Sequence, residues 1–196
     1  TSSTFSTIEK KFKDNIVYSP QDATVYYVYF NVNRQNYGHT EKTTDDQKNQ
    51  TKTALQNKNF RQAINFALDR TSLSAQSNGK DGANKTLRTL LVPPTFVQVN
   101  NKDFGSVVEE KLAATGDDWK DVSLADAQDS MFNTDKAKAQ FAKAKEELQA
   151  QGVQFPIHID YVVDQSSASL VQQADSMKDS IEKTLGKENV VVDVQK

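Results

Sequence analysis

The sequence predicts a mixed α/β fold, with a parallel β-α-β unit at 155–194 packed on a central aromatic strand near the start. Three stretches lead there. First, Phe155, Ile157, Ile159, Tyr161 and Val163 alternate with His158 and Asp160, the period of a strand. A helix follows, opened by Ser166 or Ser167, striped by Leu170, Ala174, Met177, Ile181 and Leu185 and ended by Gly186; Val190–Val194 is a second apolar strand. Strand, long helix, strand implies parallel pairing through a right-handed crossover. Second, Thr24–Val32 is dense in aromatic and β-branched residues with little polar alternation, so it is expected inside a sheet, covered on both faces. Third, Phe60, Ile64, Ala67 and Leu68 stand at i, i+4, i+7 and i+8, one apolar helical stripe.

The remaining elements follow in order. Residues 1–20 read as a lead-in: a Thr1-Ser2-Ser3-Thr4 linker, a weakly helical Ile8–Phe12 patch, and a stop at Pro20. Residues 33–57 are a long polar excursion, expected on the surface and helical over Asp45–Gln56. After the helix at 59–69 a short one is expected at Thr71–Gln76, before the turn signals Asn78-Gly79 and Asp81-Gly82. Pro93-Pro94 holds the chain extended, and 95–133 should be irregular with short helices. Thr134 is the expected N-cap of a helix striped by Ala137, Phe141, Ala144 and Leu148, with Gly152 just past its end.

Composition narrows the chemistry. Hydrophobic residues are 36% of the 196, below the usual ~45–50%, so the core is lean and the polar excursions long. The 24 basic and 26 acidic residues are interspersed, for a net charge of -2, and no basic stripe argues for nucleic acid. Absent cysteine rules out thiolate catalysis, disulfides and Cys-ligated metals. His39 and His158 stand apart from any HExxH spacing, and no Gly-x-Ser-x-Gly, Walker or dinucleotide loop occurs. Carboxylate pairs such as Asp45-Asp46 and Glu146-Glu147 are adjacent, so they do not converge on one point. No enzyme activity, cofactor or metal is expected. The chain opens on Thr, not Met, and reads as a piece cut from something longer.

Two stretches carry a resemblance. Tyr26-Tyr27-Val28-Tyr29-Phe30-Asn31, followed by Asn59-Phe60-Arg61-Gln62-Ala63-Ile64-Asn65-Phe66-Ala67-Leu68-Asp69-Arg70, is similar to the extracellular solute-binding proteins of family 5, the peptide receptors of ABC importers. The Pro93-Pro94 pair, the helix Lys138–Gly152 and the strand–helix–strand at 155–194 keep the family's order, and 33–57 resembles the Ami/Ali-type oligopeptide-binding lipoproteins of Gram-positive bacteria. The resemblance implies that 21–196 is most of one lobe of a periplasmic-binding-protein-like class II fold. It implies a monomeric receptor that closes on oligopeptides, serves ABC permease subunits and reaches the membrane only through a lipid anchor outside this chain. By the resemblance, Tyr26 and Tyr27 match a Tyr pair on a cleft-facing strand and the Gln165–Ser169 turn matches a cleft-edge helix start, while Tyr29 stands where some relatives have a polar residue; Tyr26, Tyr27, Tyr29 and Asn31, with Gln165, Ser166 and Ser169, are the expected peptide contacts. The family's Trp/Asp-Pro ligand-reading motif lies beyond the last matched strand, so little peptide binding is expected of this piece alone. A surface adhesion module, using 33–57 as contact surface, is the alternative.

Overall fold

The computed structural model describes residues 5–19, 23–124 and 129–196; the Thr1–Thr4 linker and the Pro20 stop fall outside them. Contacts divide the chain into two units, residues 1–28 with 70–131 and residues 29–69 with 132–196.

In the first unit α1 (Phe5–Phe12), followed by a 3-10 turn, lies on α4 (Arg70–Thr86). The short helix and turns expected over 71–86 are instead one helix broken at Gly79, whose φ of 73° and ψ of 170° leave the helical region. The turn signal is real, but Glu9 bridges the break: its buried carboxylate accepts Lys80 N at 2.9 Å and Asp81 N at 3.0 Å, restarting the helix. An anion at orphan helical N–H groups is the usual N-terminal cap, here supplied from another helix. Asp81 also pairs with Lys13 at 2.9 Å. Arg70 pairs with the buried Asp129 at 3.3 Å. The stretch after the prolines forms a hairpin, β1 (Gln98–Val99) with β2 (Lys102–Asp103), turned by Asn100 and Asn101 at positive φ. Asp103 then caps α5 (Phe104–Ala113) through Gly105 N.

The second unit holds most of the apolar core. α2 (Asp45–Gln56) forms where the excursion was expected to be helical, with a full capping box between Thr44 and Gln47. α3 (Lys58–Ala67) packs on α6 (Thr134–Ala150), and Ala63, Ala67, Ala137 and Ala144 are all fully buried, small side chains that let two backbones approach. Phe60, Phe141 and Phe155 make a run of tilted and edge-on ring contacts at 6.3 and 5.9 Å. Phe66, off the predicted stripe, is also fully buried. The cap of α6 is Asn133, one residue ahead of the expected Thr134. β3 (Ile157–Val162) pairs parallel with β4 (Val190–Gln195), and α7 (Ala168–Leu185) connects them, as the alternation predicts. Ile157, Val190, Val192, Met177, Ile181 and Leu185 are buried between helix and sheet.

The aromatic strand is the correction. Residues 24–32 belong to neither β ladder and run as irregular backbone. Tyr26, Tyr27 and Tyr29 are 94%, 64% and 76% exposed, not sandwiched in a core. A strand pattern states what a segment suits; a ladder also needs a neighbour with free main-chain groups, and none pairs with it among the described residues.

Candidate functional site

The candidate residues fall at two places. Gln165, Ser166 and Ser169 follow the carboxyl end of β3, where α7 begins. In sheets of parallel strands this end is where ligands usually sit. Asp164 organises the turn: its Oδ1 accepts Ser166 N at 2.9 Å and Ser166 Oγ at 2.7 Å. Those bonds hold its carboxyl below the usual carboxylate range. Ser167 and Ser169 face each other at 3.3 Å, and Ser167 is the N-cap without bonding the helix through its side chain. Gln165 and Ser166 are exposed.

Tyr29 and Asn31 belong to the same unit and are also exposed. Asn31 Oδ1 accepts Asn33 N at 3.3 Å, a local turn. Tyr26 and Tyr27 belong to the other unit. No ladder brings the tyrosine run to the 165–169 turn. Five of the seven predicted residues, Tyr29, Asn31, Gln165, Ser166 and Ser169, thus belong to one unit.

A charged cluster that sequence reasoning passed over lies on the β3–β4 face bearing His158, Asp160 and Asp193. Asp160 and Asp193 are register partners, a like-charge pair directly opposite. Each carboxylate is answered separately. Lys42 Nζ meets Asp160 Oδ1 at 2.9 Å and Arg34 Nη1 meets Oδ2 at 2.5 Å. Asp193 takes His158 Nδ1 at 3.0 Å. Burial pushes the Asp160 carboxyl up, but the bonds from Lys42, Thr40 and Arg34 outweigh it and hold the group below its ordinary value. Arg34 is fixed further by His39 O at 2.9 Å, Asn36 O at 2.7 Å and the Tyr37 ring at 4.5 Å. Burial alone pushes the Tyr161 phenol up.

Beside this cluster, α2, residues 41–42 and the start of β3 enclose a cavity of about 350 Å³, with His158 and Asp193 on its wall. Asp46 in that wall is engaged by Gln50 Nε2 at 2.7 Å, and Gln50 Oε1 takes Gln154 N at 3.0 Å. Among the described residues no group of three or more His, Asp or Glu is placed to hold a metal ion. The signal for this cluster was available: two cations in a polar run, and a lone Asp in an otherwise apolar strand.

The sequence model of the bacterial extracellular solute-binding proteins, family 5 middle, matches residues 1–195, and the chain belongs to that family. It is 59% identical over 194 residues to the oligopeptide-binding protein SarA of Streptococcus gordonii, covering 99% of this chain and 29% of that protein. It is 57% identical over 195 residues to the oligopeptide-binding protein AliA of Streptococcus pneumoniae, covering 100% of this chain and 30% of that one. The chain therefore spans about three-tenths of the length of these curated relatives. Both relatives are named for oligopeptide binding. The solved structure of Listeria monocytogenes OppA bound to peptide overlaps with a TM-score of 0.47 at 21% identity, covering 72% of this chain and 23% of that one, too loosely to bear on the site.

Proposed function

We propose that this chain is part of an extracellular receptor that captures oligopeptides between two lobes and delivers them to the permease subunits of an ABC importer. Residues 21–196 supply most of one lobe, the whole receptor is a monomer, and a lipid anchor outside this chain holds it at the outer face of the membrane. Tyr26, Tyr27, Tyr29 and Asn31, with Gln165, Ser166 and Ser169, are the peptide contacts. The observation that carries the reading is the 57–59% identity, over essentially the whole chain, to proteins named for oligopeptide binding.

The chemistry suits the task. A receptor for varied peptides reads main-chain groups and seats side chains in wet pockets, work that exposed phenols, amides and hydroxyls can do. The adhesion alternative loses ground, since Arg34 and Lys42, cations of the 33–57 excursion, are spent on Asp160 instead of facing outward. The test is calorimetry of the full-length receptor with a mixed pentapeptide library, then with Tyr29→Ala and Gln165→Ala. Micromolar binding, weakened by the variants, is expected. No peptide binding by the intact receptor, or binding that the variants leave unchanged, contradicts the function or the site respectively.

A further inference from the structure

The turn between β3 and α7 is closed around one residue. Val163 N donates to Gln195 O at 2.9 Å, so the chain is pinned to β4 up to the residue before Asp164. Asp164 O then accepts Ser167 N at 3.1 Å, closing the 164–167 turn, and Ser167 O accepts Val171 N at 3.1 Å as α7 begins. Across the turn, the Asp164 side chain adds two bonds at a single oxygen. Its Oδ1 accepts Ser166 N at 2.9 Å and Ser166 Oγ at 2.7 Å.

The second of these bonds fixes what Ser166 can offer a ligand. A serine hydroxyl has one hydrogen to donate and two lone pairs to accept with. The two Ser166 bonds hold the Asp164 carboxyl below its usual range, so near neutral pH it is an anion and accepts only. The 2.7 Å bond therefore has one direction: Ser166 donates its hydroxyl hydrogen to Asp164 and keeps its lone pairs. The Ser166 main-chain N–H is taken up by the same oxygen. Its side chain is left as an acceptor, and the partner of an acceptor is a donor. The donor that peptides repeat along their length, whatever their sequence, is the main-chain N–H. Ser167 and Ser169, whose hydroxyls lie 3.3 Å apart, carry no such assignment, because either oxygen can donate.

We propose that Asp164 is a positioning residue of the peptide site, holding the 164–167 turn and committing the Ser166 hydroxyl as acceptor for a main-chain N–H of the bound peptide. The proposal rests on the reading of Gln165, Ser166 and Ser169 as peptide contacts. Asp164 acts through Ser166 in two ways. Without its carboxylate the turn keeps only the Ser167 N bond, and apparent affinity falls with the fraction of receptor holding the competent turn. The hydroxyl also loses its fixed orientation, and an oxygen that donates to an anion is the better acceptor.

The test is calorimetry of the full-length receptor with one pentapeptide that it binds and with the N-methyl derivatives of that peptide, each lacking one main-chain N–H. At one position, N-methylation should weaken binding to the parent receptor at least about tenfold. At that position the penalty should shrink to under about twofold in Ser166→Ala, since the lost donor and the lost acceptor belong to one contact. A methyl group that merely collides with the receptor keeps its penalty in Ser166→Ala. Asp164→Ala should bind the parent peptide about tenfold more weakly and show the same reduced penalty. Asp164→Asn retains Oδ1 to accept both Ser166 bonds, so it should bind within about threefold of the parent and keep the penalty. The proposal is overturned by an Asp164→Ala receptor that keeps the full penalty, by Asp164→Asn behaving as Asp164→Ala, or by no position coupled to Ser166. Any of these with peptide binding that Gln165→Ala still weakens overturns this proposal alone. Absence of peptide binding by the parent receptor overturns the receptor reading and this proposal together.

Discussion

Asp160→Ala removes the anion on which the 33–44 segment is anchored. The Asp160 side chain is 2% exposed and that of Lys42 only 5%, whereas Arg34 at 20% can swing toward water. The loss is therefore dominated by Lys42, left buried without its carboxylate. Removing one partner of a buried pair costs about 3–5 kcal/mol, a large share of a typical ~5–15 kcal/mol stability. With a urea slope of about 2–3 kcal/mol/M for a chain this size, the midpoint should fall by roughly 1–2.5 M. Trp119 belongs to the other unit, so its fluorescence is the wrong probe; amide exchange in β3 and β4 reads the right one. Asp160→Leu/Lys42→Met should recover much of the loss, because an apolar pair of similar size often replaces a buried ion pair at little cost. The pH dependence has a definite sign. The folded-state pKa of Asp160 is depressed, so its stabilisation is present above the unfolded value, about 3.9, and is lost as pH falls through the folded one. The gap between the parent chain and Asp160→Asn should thus be flat from about pH 5 to 8 and shrink only below about pH 4. A midpoint change under about 0.3 M, corresponding to less than about 1 kcal/mol, would falsify the burial argument.

Four further outcomes are expected. Glu9→Ala should destabilise the first unit by about 1–2 kcal/mol through loss of the cap at Lys80 and Asp81, seen as a lower urea midpoint by Trp119 fluorescence. Gly79→Ala should cost at least as much, since a Cβ there would lie 2.6 Å from the Glu9 carboxylate at a φ of 73°. Ser180→Ala should cost about 1–3 kcal/mol, because Ser180 Oγ donates to Ala67 O at 2.7 Å and accepts Asp69 N at 2.9 Å, closing the end of α3. The 196-residue chain alone should hold peptide only near the millimolar range, if half of a micromolar receptor's ~8 kcal/mol belongs to it; calorimetry showing micromolar affinity would refute that division.

Where local pattern and tertiary need agree, the sequence was readable to within a residue or two. The stripe from Leu170 to Leu185 and the glycine that follows it give α7 its length, and alternation from Phe155 to Val163 gives β3, because each side chain's burial repeats with the backbone period. The Gly79 break was readable as a break. What was not readable is that Glu9, seventy residues earlier in sequence, would cap the restart. Long-range polar partners leave no periodic trace, so the charges of the Asp160 cluster were each visible in the sequence but their pairing was not. The site was readable only as a resemblance. Of the seven residues it pointed to, six are exposed and Ser169 is half-buried, and pattern alone could not say which of them share a unit.

The tyrosine run and the polar excursion depart from expectation in opposite directions. Apolar character sent Thr24–Val32 into a core, and the structure leaves Tyr26–Tyr29 in solvent. Polar character sent 33–57 to the surface, and the structure buries Lys42 and most of Arg34 against Asp160. The two segments are consecutive, so the docked cation, Arg34, follows directly on the exposed tyrosine run. A buried salt bridge on the β3 face thereby anchors the 33–44 segment, while Lys178 and Glu182 occupy the main-chain groups of Val192 on the opposite edge. Hydrophobic burial builds the α3–α6–α7 body, but it is charge, at Asp160 and at Glu182, that ties the sheet to the segments packed around it.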